Sequence, residues 1–151
     1  MPSVGVIGLG DMGSGIAKNL IRNGFETWGR DVMDVRNRAL ADMGGHATDS
    51  TAQVGENAQY VFVMVMKGAE AHEVILGDGG LAQSMKPGGT ILLTSTIKPA
   101  EARAIGEGLK ASGLRLIDSP VSGGYPGAQG GTLTMMAAAP DAVLADAPPA
   151  M

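Results

Sequence analysis

Cysteine is absent from the 151 residues, and aromatic side chains are scarce, since the chain has one tryptophan, two tyrosines and two phenylalanines. The lack of cysteine excludes disulfide bonds, thiolate metal sites and cysteine nucleophiles. The chain also has no excess of basic residues, because it contains 11 Lys and Arg residues and 15 Asp and Glu residues. This balance provides no basic patch for a phosphate backbone or an anionic membrane, so we expect neither nucleic acid nor membrane as a partner.

The N-terminus lacks the marks of a signal peptide or membrane span, because no basic side chain and no long apolar run precede Gly8. A cytoplasmic location is therefore expected. The surroundings of the two histidines, His46 and His72, suggest neither a catalytic triad nor a metal-binding cluster. We expect no bound metal.

Glycine, in contrast, is abundant at 24 residues, which is typical of tight turns and of backbone that approaches a ligand closely. Short apolar runs alternate with segments of helical spacing along the chain. The predicted strands cover residues 4–9, 25–30, 60–66, 90–94, 114–118 and 132–137, and the predicted helices lie around 16–21, 32–43, 69–76 and 99–111. This alternation predicts an α/β fold, a Rossmann-type doubly wound, mostly parallel sheet with helices on both faces. We place this domain at residues 1–138, followed at 139–151 by an irregular Ala/Pro-rich tail or a truncated helix.

A glycine-rich motif lies between the first predicted strand and the first predicted helix. It reads Gly8-Leu9-Gly10-Asp11-Met12-Gly13, the fingerprint of a dinucleotide-binding turn. Gly8 allows the tight turn, Gly10 lets the backbone approach a pyrophosphate, and Gly13 permits close packing of helix on strand. The N-terminus of the helix offers unpaired N–H groups to the anion. A tight turn that binds no ligand would give the same bare pattern.

Asp31 distinguishes these alternatives, because it stands at the end of the second predicted strand, close to the usual spacing of roughly 20 residues after the glycines. An acid there hydrogen-bonds the ribose hydroxyls and would repel a 2′-phosphate, so we expect NAD to be preferred over NADP. Arg30 could tolerate a 2′-phosphate. As the neighbouring residue on a strand, however, Arg30 is expected to point to the opposite face.

The third long predicted strand ends in Met64, Val65 and Met66, at the edge of the sheet where the cofactor crevice should open. We take these three residues as candidate cofactor contacts. Lys67 follows them, and it is either a further cofactor contact or a solvated lysine.

Residues 6–20 resemble the first motif of the β-hydroxyacid dehydrogenases, the family of 3-hydroxyisobutyrate, tartronate semialdehyde and 6-phosphogluconate dehydrogenases. A second motif of that family is similar to residues 118–124 and continues to residue 136. Within the family, residues 27–29 and the pair Ser95-Thr96 are most similar to the L-threonate dehydrogenase branch. Thr94 departs from the family, which usually has an aspartate at that place.

The resemblance implies that Ser95 and Thr96 contact the cofactor and that Ser122, Gly123 and Gly124 bind substrate. The two glycines could turn backbone N–H groups toward a substrate carboxylate, although a plain glycine-rich turn would read the same way. In the family a lysine deprotonates the substrate hydroxyl as the hydride leaves. That lysine and the all-helical second domain are expected beyond the end of this chain.

These features predict the NAD-binding domain of an oxidoreductase that transfers a hydride between NAD and a small hydroxyacid such as L-threonate or 3-hydroxyisobutyrate. We expect little turnover by the domain alone and at most a weak oligomer. Two alternatives stay open. One is a stand-alone nucleotide-binding module whose partner supplies the lysine, and the other is an interaction module with a vestigial site.

Overall fold

The computed structural model describes residues 3–65, 67–94 and 98–118, together with two short strands at 121–122 and 134–135. The strands are β1 (Ser3–Ile7), β2 (Glu26–Arg30), β3 (His46–Ala47), β4 (Tyr60–Val63), β5 (Thr90–Leu93), β6 (Arg115–Asp118), β7 (Val121–Ser122) and β8 (Thr134–Met135). The helices are α1 (Asp11–Arg22), α2 (Asp34–Asp42), α3 (Thr51–Asn57), α4 (Gly68–Leu76), α5 (Leu81–Ser84) and α6 (Pro99–Leu109), and a 3₁₀ turn (Lys110–Ser112) continues the last helix.

The main sheet has six strands in the order β3-β2-β1-β4-β5-β6, and every neighbouring pair in it is parallel. Strands β2 and β3 follow β1 toward one edge of the sheet. Strand β4 then pairs with the other side of β1, and β5 and β6 continue to the opposite edge. The predicted Rossmann-type doubly wound fold is therefore confirmed. The point where the order reverses lies between β1 and β4, and in such folds the ligand crevice opens there, outside the carboxyl ends of the strands.

Both faces of the sheet are covered, as the apolar strands predict. In β4, Val61 and Val63 face the cluster that packs under α3 to α6, whereas Phe62 faces the cluster under α1 and α2. The side chains of β5 alternate in the same way, with Leu92 beside Phe62. The core thus consists of two apolar layers with the sheet between them.

Several predicted boundaries were wrong at the carboxyl edge of the sheet. The strand predicted over residues 4–9 ends at Ile7, and the strand predicted over residues 60–66 ends at Val63. Leu9 after β1, and Met64 and Val65 after β4, belong to connecting segments, because the chain has to leave the sheet before the next helix begins. The last predicted strand also differs, since β8 pairs antiparallel with β7 in a separate two-stranded sheet.

The sequence analysis missed four short elements of the described structure, which are β3, β7, α3 and α5. Strand β7 has only two residues. Strand β3 has only two residues, both exposed, so it has no apolar pattern. Helix α3 begins after Ser50, whose hydroxyl accepts a hydrogen bond from the N–H of Gln53 at 3.3 Å. Helix α5 is a single turn. Residues 139–151, the predicted tail, lie outside the described residues.

Candidate cofactor-binding site

The glycine-rich motif forms the turn from β1 to α1 at the switch point of the sheet. Gly8 has a φ of 94°, and its N–H donates a hydrogen bond of 2.9 Å to the carbonyl of Arg30. A Cβ atom on Gly8 would collide with the carbonyl of Met64, which directly follows β4. A Cβ atom on Gly13 would collide with the carbonyl oxygen of Gly8. These two glycines are therefore required by the packing of the turn itself.

Gly10 differs from these two glycines. A Cβ atom there would meet only the guanidinium of Arg36, with Nη1 at 3.8 Å. The backbone at Gly10 is extended, with a φ of −70° and a ψ of −160°, so its conformation does not demand glycine. The open face of Gly10 thus leaves the backbone accessible at the N-terminus of α1, where a pyrophosphate could approach.

The other residues of the motif have separate surroundings. The side chain of Leu9 is 3% exposed and belongs to the core under α1 and α2, so only its backbone faces the site. Asp11 is the first residue of α1, and Met12 is partly buried in its first turn. A role of these residues in cofactor binding stays a prediction.

Asp31 is buried directly after β2, with 7% of its surface exposed. Its Oδ2 accepts a hydrogen bond from the N–H of Leu9 at 2.7 Å, and its Oδ1 accepts one from the N–H of Met33 at 2.9 Å. The carboxylate therefore joins the glycine-rich turn to the connection between β2 and α2. Sequence analysis anticipated an acid at this place but not its bonds to the protein's own backbone.

Asn37 is a buried polar residue of α2 that the sequence analysis missed. Its side-chain amide accepts from the N–H of Asp31 at 2.8 Å and donates to the carbonyl of Asp31 at 2.9 Å. Both backbone groups of Asp31 are satisfied in this way, which holds the residue in one orientation. A polar residue between exposed neighbours in a predicted helix gives no signal in the sequence that it is buried.

Arg36 is the second missed residue, and it belongs to the first turn of α2. Its Nη1 lies 3.4 Å from Oδ2 and 3.5 Å from Oδ1 of Asp31, and 43% of its side chain is exposed. Together with Gly10 and Ser14 it lines a cleft of about 280 Å³ that also reaches Val35 and Met43. The cation beside the acid is therefore Arg36, whereas sequence analysis considered only Arg30, which is partly buried in β2.

The connection after β4 borders the same edge of the sheet. The N–H of Met64 donates a hydrogen bond of 2.8 Å to the carbonyl of Ile7, and Val65 packs against the apolar core. Lys67 is exposed and immediately precedes α4. Met66 lies outside the described residues.

Thr94 is buried directly after β5. Its hydroxyl donates a hydrogen bond of 2.9 Å to the carbonyl of Val63. This bond extends the joining of β4 and β5 beyond their last paired residues. Ser95 and Thr96, which follow it, lie outside the described residues.

The second family motif contributes β7, which contains Ser122, and Ser122 pairs with Thr134 of β8. Gly123 and Gly124 lie outside the described residues.

Within the described part of the chain, no three His, Asp or Glu residues are grouped so that they could hold a metal ion. His46 instead stacks on Trp28, with ring centroids 4.4 Å apart.

The strand order, the glycine-rich turn between β1 and α1 and the buried acid after β2 are together typical of a dinucleotide-binding domain of the Rossmann type. The family model of the NAD binding domain of 6-phosphogluconate dehydrogenase matches residues 3–151. The chain belongs to this family. It is an NAD(P)-binding domain, and no helix among the residues described is long and apolar enough to cross a membrane.

The chain is also similar to individual dehydrogenases. The chain is 37% identical over 139 residues to an L-threonate dehydrogenase of Escherichia coli O6:H1, which covers 91% of this chain and 46% of the relative. It is 35% identical over 154 residues to a 3-hydroxyisobutyrate dehydrogenase of Pseudomonas aeruginosa, covering 100% of this chain and 51% of the relative. The solved 3-hydroxyisobutyrate dehydrogenase of Mycobacterium tuberculosis superimposes with a TM-score of 0.92 at 27% identity, over 99% of this chain and 50% of that one. The chain thus spans about half the length of these relatives.

Proposed function

We propose that this chain is the cofactor-binding domain of a dehydrogenase that transfers a hydride between NAD and a small hydroxyacid. The observation that carries the proposal is the position of Asp31. Its buried carboxylate is bonded to the N–H of Leu9, next to the open face of Gly10. A dinucleotide whose pyrophosphate lies over Gly10 would bring its ribose to this carboxylate.

We further propose that NAD is preferred over NADP. A 2′-phosphate would stand against the buried carboxylate of Asp31, and like charges in a partly desolvated site repel one another. The nicotinamide ring, when bound, supplies the hydride chemistry. The contribution of this chain is to hold the dinucleotide, with backbone N–H groups at the start of α1 directed at the pyrophosphate and Asp31 directed at the ribose.

For the substrate we propose a small hydroxyacid of the kind that the named relatives indicate, L-threonate or 3-hydroxyisobutyrate. Ser122, Gly123 and Gly124 are the residues of this chain that we expect to contact its carboxylate. We assign the base that takes the hydroxyl proton to no residue of this chain. For this chain by itself the proposal is therefore cofactor binding without efficient turnover, by a monomer or a weak oligomer.

The test is a calorimetric titration of the chain with NAD and with NADP. We expect NAD to bind and NADP to bind more weakly. Gly10→Val should abolish binding of both, because the valine side chain would fill the space that the pyrophosphate needs. If the folded chain binds neither nucleotide, the proposal is wrong, and an interaction module becomes the better hypothesis.

A further inference from the structure

The hydrogen bonds of Asp31 leave part of its carboxylate available. A carboxylate can accept roughly four hydrogen bonds, and two positions are taken by the backbone N–H groups of Leu9 and Met33, at 2.7 and 2.9 Å. Arg36 faces the remaining acceptor positions of the carboxylate. Its Nη1 lies 3.4 and 3.5 Å from the two oxygens, well beyond the roughly 2.7 to 2.9 Å of a strong charge-assisted bond. The contact between Arg36 and Asp31 is therefore loose.

The guanidinium of Arg36 also stands in the path of a dinucleotide. Its Nη1 lies 3.8 Å from the position of a Cβ atom on Gly10, so it covers part of that glycine's open face. Its side chain is 43% exposed, whereas that of Asp31 is 6% exposed. Of the two partners, only Arg36 has room to move aside. The acid stays in place, because backbone groups and Asn37 hold it.

We propose that Arg36 is a displaceable specificity residue of the cofactor site. It occupies the acceptor positions on Asp31 that the ribose hydroxyls of a bound dinucleotide would take, and it has to move when the ribose arrives. Once displaced, its guanidinium remains in the first turn of α2, beside the 2′ position. There it can pair with a 2′-phosphate if one is present. This inference rests on the proposed function, since it requires that the ribose binds at Asp31.

Arg36 then acts in opposite directions on the two cofactors. For NAD it is a competitor for Asp31 and offers no compensating contact, so it weakens binding. For NADP the same competition is offset by the new pair between the guanidinium and the 2′-phosphate. Asp31 favours NAD, and Arg36 reduces the size of that preference. The site accordingly accepts both cofactors, with NAD the tighter.

The experiment compares the unaltered chain with Arg36→Ala in titrations with NAD and with NADP. We expect Arg36→Ala to bind NAD about two- to fivefold more tightly, the range for removal of an exposed ionic contact. We expect it to bind NADP about tenfold more weakly, because a charge-assisted bond to phosphate is lost. Arg36→Lys should keep part of the NADP affinity, since it retains the charge without the planar guanidinium.

Arg38→Ala is the matched control. It removes the same charge from the same helix at an exposed position and should leave the ratio of the two affinities unchanged. A defect in folding would weaken both cofactors together and cannot produce changes of opposite sign.

Three results would overturn the inference. Equal weakening of both cofactors by Arg36→Ala would mean that Arg36 binds the pyrophosphate they share. Unchanged affinities would mean that it is only a surface residue. In either case the proposed function stands. Failure of the unaltered chain to bind NAD or NADP would overturn the proposed function, and this inference with it.

Discussion

Two neighbouring segments at the carboxyl edge of the sheet differ sharply in how they are held. In the glycine-rich turn, Gly8 to Gly13, Gly8 packs against the backbone of Met64 and Gly13 against the carbonyl of Gly8. Leu9 of this turn is 3% exposed. The segment that leads into α2 lies beside it, yet Val32 is 91% exposed and Val35 is 63% exposed. Only Asp31, at the start of this second segment, is held as firmly as the turn.

The difference separates what the fold requires from what a ligand requires. In the packed turn, a substitution meets the protein's own backbone, so its first effect should be on stability. In the exposed segment, a substitution meets open space, so its effect should be on binding. Gly10 belongs to the packed turn by sequence but to the open surface by its contacts.

The largest effect on stability is expected from Gly13→Ala. The new methyl group would collide with the carbonyl oxygen of Gly8, which forces α1 away from β1. We expect a loss of about 3 kcal/mol or more in the free energy of unfolding, measured by urea denaturation. Gly106→Ala in α6 is the control, because the nearest atom to its Cβ, on Leu116, is 3.6 Å away.

Alanine favours a helix over glycine, so Gly106→Ala should be neutral or raise the free energy of unfolding by about 0.5 to 1 kcal/mol. Equal stability losses in Gly13→Ala and Gly106→Ala would show that the turn is not held by this contact.

A smaller loss is expected from Asp31→Ala. It removes the acceptor of the N–H groups of Leu9 and Met33. The Leu9 donor is buried, and leaving it unpaired costs about 1 to 3 kcal/mol, whereas the partly buried Met33 donor can bond to water. Urea denaturation measures the loss, and NAD affinity should fall as well. Asp42→Ala, at an exposed position late in the same helix as Arg36, should stay within about 0.5 kcal/mol of the unaltered chain. A free energy of unfolding for Asp31→Ala that matches Asp42→Ala would contradict the structural role of Asp31.

The smallest effect on stability is expected from Gly10→Val, the substitution that should abolish nucleotide binding. The extended backbone at Gly10 accommodates valine, and its Cβ would meet only the exposed guanidinium of Arg36. The free energy of unfolding should change by less than about 1 kcal/mol. A loss as large as that of Gly13→Ala would remove the distinction between the packed and the open part of the motif.

Much of the fold follows from local patterns in the sequence. The apolar runs around Val6 and Phe62 predict buried parallel strands, and the structure confirms them in neighbouring central strands. The described elements that were missed, β3, β7, α3 and α5, are short or polar, so they have too few apolar residues to show a period. The strand ends were misplaced because an apolar residue in a connecting turn, such as Leu9, reads like one in a strand.

The candidate site likewise contains features that the sequence indicates and contacts that it does not. Sequence alone indicates the glycines that the turn requires, since a Cβ atom on Gly8 or Gly13 would collide with nearby backbone. It does not indicate that Asn37 and Arg36 come to Asp31. Those contacts depend on where α2 lies, and Leu40 of α2 packs closely over Gly29 of β2.

The sequence by itself therefore determined the class of fold, the glycine-rich turn and the acid that follows the second strand, because each is marked by a pattern of residue types along the chain. Only the tertiary structure decided which cation stands beside that acid. Arg30 is adjacent to Asp31 in sequence, but the direction of α2 brings the guanidinium of Arg36 to its carboxylate. The contact spans only five residues of the chain, but it depends on the direction in which α2 leaves β2, and Leu40 of α2 packs closely over Gly29 of β2.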